Sequence, residues 1–366
     1  MTVDRRTILK QLAAAGVGVG VDMLGRSALA ATPSGNQPGV IRIGVAQPGI
    51  GNPPVFSGSS AAVANARGWV EDEFRPDGIK IEWVFFKGAG PAVNEALTNK
   101  QLDFAFQGDL PAIVAKAAGL KTKLVLATGV RSNIYLAVPP DSPIQSVKDL
   151  RGKRVAIFKG TNAQLPINRV LEANGLQERD LRSINLDQAT TLAALSTKDI
   201  DAAFGNINLL RLRDKNAARI VYSSKGGSPI FTTQSHVLVT EEFAQQYPEI
   251  TGRVVKTFVK TAKWASDEVN RDEVLHLWAK AGTPYEHWKE DYAGEPLRVR
   301  INPNFDPFLV ARYKDSVEQA YRLKLSRGKV DVDQWIDQRY LKAALKALKL
   351  ETYWPVYQAN GNILGA

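Results

Sequence analysis

The sequence predicts an α/β protein in which one run of strand–helix repeats is followed by a second, shorter run and then by a helical tail. Three observations carry this expectation. Short β-branched and aromatic runs alternate with stretches of helical apolar spacing as far as about residue 233. The alternation breaks at Pro139–Pro140 and restarts, and beyond Ser235 nearly every periodic stretch repeats at three or four residues. At 366 residues the chain exceeds one typical core, so about two domains are expected.

Residues 1–30 stand apart from this pattern. Asp4-Arg5-Arg6-Thr7-Ile8-Leu9-Lys10 resembles a twin-arginine export signal, with Asp4 and Ile8 in place of its commonest Ser and Phe. A Gly/Ala/Val stretch over 12–21 follows, too short and glycine-rich to span a bilayer, and Ala28-Leu29-Ala30 has the small-residue pattern of a cleavage site. Export to the periplasm is therefore expected, with residues 31–39 as a Pro/Gly/Ser/Asn-rich linker. No later segment approaches 18 unbroken apolar residues, so the exported chain is expected to be soluble.

From Val40 the elements follow in order. Residues 40–45 alternate as a strand, and a long Gly/Pro loop over 47–58 leads to a helix over 61–74 capped by Ser59 or Ser60. Residues 79–86 form the next strand, and Lys87-Gly88-Ala89-Gly90-Pro91 the turn into a helix with proline in its first turn. A strand over 102–106, the turn Gln107-Gly108-Asp109 and a helix over 110–118 complete a third unit, with strands at 124–127 and 134–138 beyond it. Such alternation gives a parallel sheet with right-handed crossovers, so the three turns gather at the edge where open α/β folds bind ligands. The second run repeats the scheme: strands at 155–158, 183–186, 201–204 and 220–222, with helices over 164–173 and 189–196. In the tail, one strand (236–240) precedes apolar stripes such as Ile250, Val254, Phe258 and Ala262, whose spacing is that of core-facing helices.

Composition excludes several chemistries. There is no cysteine, hence no disulfide framework, thiol nucleophile or thiolate metal site, and His236, His276 and His287 lack metal-ligand spacing. No cofactor is expected. The formal charge is +10, of which the leader contributes +2 through four basic and two acidic residues, leaving +8. The Lys and Arg are scattered among acids with no basic run, which argues for a mild preference for anionic partners and against nucleic acid. No Gly-x-Ser-x-Gly elbow accompanies the histidines, and His236 is expected in the core or hinge.

The stretch Leu150-Arg-Gly-Lys-Arg-Val-Ala-Ile-Phe-Lys-Gly-Thr-Asn-Ala-Gln164 passes from a strand through Gly160 to the capping residues Thr161 and Asn162 and on into a helix. It places unpaired backbone N–H groups at a sheet edge, an arrangement that attracts anions, although every βα unit needs a loop of this kind.

With these landmarks in order, the chain resembles the extracytoplasmic solute-binding proteins of ABC importers, in the group that takes nitrate, aliphatic sulfonates, sulfate esters and taurine. The resemblance rests on the 87–91 turn with Ala96-Leu97, on Leu102-Asp-Phe-Ala-Phe-Gln-Gly-Asp-Leu-Pro111, and on Leu150-Arg-Gly-Lys-Arg-Val-Ala156. Asp199-Ile-Asp-Ala202, Phe243-Ala-Gln-Gln-Tyr-Pro248, Tyr292-Ala-Gly294, Trp335-Ile-Asp337 and Tyr340-Leu-Lys-Ala-Ala-Leu345 extend it over nearly the whole exported chain. It implies a two-lobed periplasmic-binding-protein fold of type II, with two hinge strands (132–138 and 236–240) and a helical C-terminal region packed on lobe 1. Lobe 1 is expected over 40–135 plus 238–366, and lobe 2 over 136–237.

The function this implies is not catalytic. A small anionic solute, a sulfonate or sulfate ester, is enclosed by closure of the lobes and delivered by a monomer to the membrane permease and ATPase subunits of an importer. Candidate ligand contacts are Thr161, Asn162 and Gln164; Gly88, Ala89 and Gly90; Gln47; Gln107 and Gly108; and Phe204 with Asn206. Asp109 either caps its helix or faces the cleft, and Arg131 either pairs with the anion or forms a salt bridge at the surface or hinge. The group often carries a Trp after the Asp-Ala of the 201–202 turn, where this chain has Ala203, so a roomier pocket is expected unless Phe56 or Phe204 fills it. On the same scaffold the alternatives are nitrate, taurine or a thiamine pyrimidine precursor. Desulfinase-type relatives use a cysteine nucleophile, which this chain lacks.

Overall fold

The computed structural model describes residues 37–364; the leader and most of the linker expected from the sequence lie outside them. Two five-stranded sheets organise the chain. The first contains β1 (Val40–Val45), β2 (Lys80–Phe85), β3 (Phe104–Gly108) and β4 (Thr122–Ala127), joined by β10 (Ser235–Thr240) in the order β2-β1-β3-β10-β4. The second contains β5 (Tyr135–Val138), β6 (Arg154–Ile157), β7 (Arg182–Asn185), β8 (Ala202–Gly205) and β9 (Arg219–Ser223) in the order β7-β6-β8-β5-β9. Each sheet with its helices is called a lobe below.

The sheets are mixed rather than wholly parallel. β1, β2 and β3 pair in parallel, as do β6, β7 and β8, but β10 runs antiparallel to β3 and β4, and β5 antiparallel to β8 and β9. The reversed strand is in each case the first one after a passage from the other lobe. A chain leaving one sheet at its carboxyl edge enters the other at that same edge and must run the opposite way.

The first passage overlaps the expected hinge strand at residues 132–134 and the second ends just before the expected 236–240. Residues 128–134 and 224–234 join the lobes, held together by Ser132 N–H to Thr233 C=O (3.2 Å) and the reciprocal bond (2.9 Å). β5 and β10 belong wholly to their own sheets.

Among the first-lobe helices, the single helix expected over 61–74 is two, α1 (Ser60–Arg67) and α2 (Trp69–Phe74). Gly68 separates them at φ 67°, its N–H turned back to the Ala64 and Asn65 carbonyls, a left-handed stop that glycine takes without strain. Of the two candidate caps it is Ser59 that accepts from Ala62 N–H, at 3.1 Å. α3 (Ala89–Thr98) and α4 (Asp109–Ala117) follow β2 and β3; α5 (Gln164–Ala173), α6 (Gln188–Ser196) and α7 (Leu210–Asp214) belong to the second lobe.

The tail holds α8 (Glu241–Gln246), α9 (Pro248–Ser266), α10 (Arg271–Ala279), α11 (Tyr285–Tyr292), α12 (Leu297–Arg300), α13 (Pro307–Arg322), α14 (Val332–Trp335) and α15 (Gln338–Leu348). α9 packs against α1 and α15, α15 against β4, and α13 against α4, so the tail covers the first lobe. It also reaches the second: Arg169 of α5 meets Ser316 (2.9 Å) and Asp315 (3.0 Å) of α13, and His287 of α11 meets Asp214 (2.6 Å). The apolar run near the end packs down as expected, with Trp354 and Tyr357 buried.

Candidate functional site

The carboxyl edges of the two sheets face each other across a cavity of about 520 Å³ lined from both lobes and from the tail. Three turns meet at one end of it. The β2–α3 turn contributes Lys87, Ala89 and Gly90, the β3–α4 turn Gln107 and Gly108, and the β6–α5 turn Thr161 and Asn162.

The three helices that start there share a feature that α1 and α6 lack. The N-caps of α3, α4 and α5 are Gly88, Gly108 and Ala163, and none supplies a side-chain cap, whereas Ser59 and Asp187 cap α1 and α6. First-turn N–H groups left without a side-chain acceptor concentrate positive potential at the starts of α3 and α5, whereas in α4 the Leu110 N–H is taken by Asp109 Oδ1 (2.8 Å) and the Asp109 N–H by Gln234 C=O (3.2 Å). In the β6–α5 turn, Gly160 adopts φ 75°, and the Thr161 hydroxyl donates to Phe158 C=O at 2.7 Å. Among the described residues, no protein acceptor takes the backbone N–H of Thr161 or Asn162. The Asn162 side chain crosses to the first lobe, its Nδ2 3.4 Å from Ser235 Oγ.

Several other residues singled out from the sequence line the cavity. Gln47 does, its Nε2 donating to Ser57 C=O at 3.2 Å, and Gln107 does, its Nε2 donating to Asn94 Oδ1 at 3.3 Å. Phe204 and Asn206 contribute from the second lobe, with Asn206 Oδ1 accepting from Asn208 N–H at 3.0 Å.

Four candidates take other places. Gly88 caps α3 behind its lining neighbours. Gln164 is buried, its Oε1 accepting from Gly160 N–H (2.7 Å) and its Nε2 donating to Glu178 (3.2 Å), so it shapes the turn from behind. Burial would raise the Glu178 carboxyl, but Lys159 together with Gln164 and Ser183 holds it below its ordinary value.

Asp109 lies in the first turn of α4 with its carboxylate turned away from the cavity, accepting from Leu110 N–H (2.8 Å) and Ser316 Oγ (3.0 Å). Burial pushes its carboxyl above the ordinary range, opposed chiefly by Arg169. Arg131 sits in the first passage at φ 53°, its guanidinium 4.2 Å from the Phe308 ring and 3.6 Å from the Tyr357 ring, and burial lowers its basicity. Phe56 does not line the cavity; it is wholly buried among Trp83, Phe85 and Phe106.

Sequence reasoning missed the contribution of the tail, whose stripes read only as core. Trp288 of α11 lines the cavity, as do the apolar Ile50, Ile134, Leu192 and Leu209. Asp291 and Arg300 line the floor as an ion pair (2.6 Å), each only 2 % exposed. Asp291 also accepts from Asn133 (2.9 Å) and Tyr135 (2.5 Å), tying the tail to the first passage and to the start of β5. Burial alone would raise its carboxyl, but the Arg300 charge and these donors keep it below the ordinary range. The clustering of Trp288 and Asp291 on one short helix was the available signal, but only the fold shows which face looks inward. Among the described residues, no three metal-ligating side chains are grouped.

The profile of a family described as "NMT1/THI5 like" matches residues 59–269, a span that covers α1, the whole second lobe and both passages. The chain belongs to the NMT1/THI5-like family of substrate-binding proteins. Within that family it is 29% identical to a provisionally named aliphatic sulfonates-binding protein of Bacillus subtilis (strain 168), over 84% of this chain and 88% of the relative. The crystal structure of the periplasmic sulfonate-binding protein SsuA of Methylobacillus flagellatus KT superposes with a TM-score of 0.77 at 30% identity, covering 87% of this chain and 97% of that one. The fold alone is shared with the desulfurization enzyme DSZB, at 17% identity and a TM-score of 0.62 over 84% of this chain and 99% of that one. Among the described residues, no helix is long and apolar enough to cross a membrane.

Proposed function

We infer that this protein is the periplasmic solute-binding component of an ABC importer, and that its solute is an anionic organosulfur compound: an alkyl or aryl sulfonate, or a sulfate ester. The observation that carries this reading is the convergence of three turns on one end of the cavity, two of them opening helices without side-chain caps (α3 and α5), with the Thr161 and Asn162 amides unpaired beside them. A sulfonate is a permanent monoanion whose three oxygens only accept. Amide N–H groups satisfy it without a dedicated cation, which would be costly to leave buried and unpaired in the unliganded protein. The apolar Ile50, Leu192, Leu209 and Trp288 lining the cavity support an organic tail larger than that of taurine. Both the Bacillus relative and the SsuA structure carry sulfonate binding in their names. The family match and the names of the sulfonate-binding relatives support delivery to a permease and its ATPase, and the periplasmic SsuA supports export. A binding rather than catalytic role accords with the absence of cysteine from the chain.

A thermal-shift comparison of octane-1-sulfonate, benzenesulfonate, octyl sulfate, nitrate, taurine and a thiamine pyrimidine precursor tests this. Ligand at about 100 times its Kd adds roughly 2.7 kcal/mol, a rise of a few degrees. The sulfonates or octyl sulfate should raise Tm most. A rise with the pyrimidine alone would overturn the reading, and release of sulfite or sulfate from any of them would make the protein an enzyme.

A further inference from the structure

The two lobes touch beside the anion end of the cavity, and the contact depends on the absence of one atom. A Cβ built on Gly108 of the first lobe would overlap the Asn162 Cβ of the second and lie 2.8 Å from its Cγ and 3.2 Å from its Cα. Those atoms are not the far end of a flexible chain. The Asn162 Cβ moves only with the backbone at the start of α5, so a methyl group at 108 can be accommodated only if the lobes stand further apart. Conformation does not demand glycine here. At φ −87° and ψ 173°, Gly108 occupies the extended region open to any residue. A second approach lies alongside: a Cβ on Gly160 would come within 3.2 Å of the Pro91 Cγ.

We propose that Gly108 is the positioning residue for closure: its missing side chain lets Asn162 seat against the β3–α4 turn, and this seam sets how far the lobes can shut on the solute. The proposal rests on the two-lobe binding reading above. Asn162 then acts through two separate groups, a side chain that forms the seam and a backbone N–H that faces the solute. The seam also brings the starts of α3 and α5 together, positive end toward positive end, so shutting it is favoured when an anion lies between them.

The cysteine-free chain allows a direct test, since Glu95→Cys and Ala173→Cys on exposed positions of α3 and α5 give two unique spin-label sites. Interlobe distances are measured with and without octane-1-sulfonate. In the otherwise native protein the sulfonate should collect the distribution into its shortest component. Gly108→Ala should remain folded, lack that component and bind at least tenfold more weakly. Adding Asn162→Gly, which removes the opposing Cβ and keeps the amide, should restore both. Closure of Gly108→Ala as complete as that of the parent overturns the proposal, as does failure of the paired change to restore it. If the sulfonate leaves the parent distances unchanged, the sulfonate reading falls by itself. The ligand-free distributions then decide the seam: a short component lost only in Gly108→Ala supports it, while one that persists, or is absent from the parent, overturns it.

Discussion

His236 shows how far a single residue's role can be fixed by its surroundings. It enters β10 wholly buried, with its Nδ1 2.5 Å from the Tyr313 hydroxyl and the Trp335 ring nearby. Burial lowers its pKa from 6.5 to about 3. A base with a depressed folded-state value stays neutral in the folded protein while the unfolded chain gains a proton below pH 6.5. The stability it contributes is therefore full above pH 6.5 and declines as pH falls from there toward 3, by up to about 1.4 kcal/mol per pH unit. His236→Gln should flatten the acid limb of the stability curve across that window, as measured by urea unfolding at successive pH values. An unchanged limb would assign the acid loss to other groups. The sequence placed this histidine in the core or hinge, since no Gly-x-Ser-x-Gly elbow accompanies it, and its burial in β10 agrees. Its partner Tyr313 lies 77 positions away and could not be read from local pattern.

At the scale of elements, α13 joins the lobes through several polar contacts, one of which, the Ser316 hydroxyl, touches both. Ser316 donates to Asp109 at the start of α4 and lies 2.9 Å from Arg169 of α5, which also pairs with Asp315 at 3.0 Å. Arg169 is nearly buried in this contact, whereas the nearby pair Arg322–Glu172 is exposed. Arg169→Ala leaves Asp109 without its main opposing charge and should destabilise the protein by roughly 1–3 kcal/mol. Arg322→Ala should cost less than about 1 kcal/mol. Chemical denaturation of the two variants checks the contrast; equal losses would mean that burial of the Arg169 link contributes nothing special. Apolar periodicity alone located α13, because a stripe at three- and four-residue spacing needs only local sequence. That its polar edge bridges two lobes was invisible, since Asp109, Arg169 and Ser316 come from three distant elements.

At the scale of the molecule, the cavity is lined by polar turns and by apolar side chains, which implies a ladder of affinities. Each methylene of an alkanesulfonate that reaches Ile50, Leu192, Leu209 or Trp288 should add about 0.8 kcal/mol, roughly fourfold in Kd, until these side chains are covered. Calorimetric titration at fixed ionic strength from ethane- to octanesulfonate checks this, and a flat series would show that the tail stays in solvent. Much of the scaffold around that cavity was legible. The glycine-bearing turns at 88–90, 107–108 and 160–162 were located because a strand followed by glycine and a helix start has a local signature. The tail's part in the lining was not, because Trp288 is helical and apolar whether it faces the core or a solute.

By itself the sequence determined the alternation of strands and helices, the break after Pro139–Pro140, the helical tail and the absence of thiol chemistry, all of which follow from local spacing and composition. Tertiary structure alone decided that each sheet carries one reversed strand, that Gln164, Asp109 and Arg131 support the cavity without lining it, and that Gly108 meets Asn162 across the gap. The physical reason is common to all three. Backbone preference acts over a few residues, whereas the direction a side chain faces and the atom it meets depend on how distant segments are brought together.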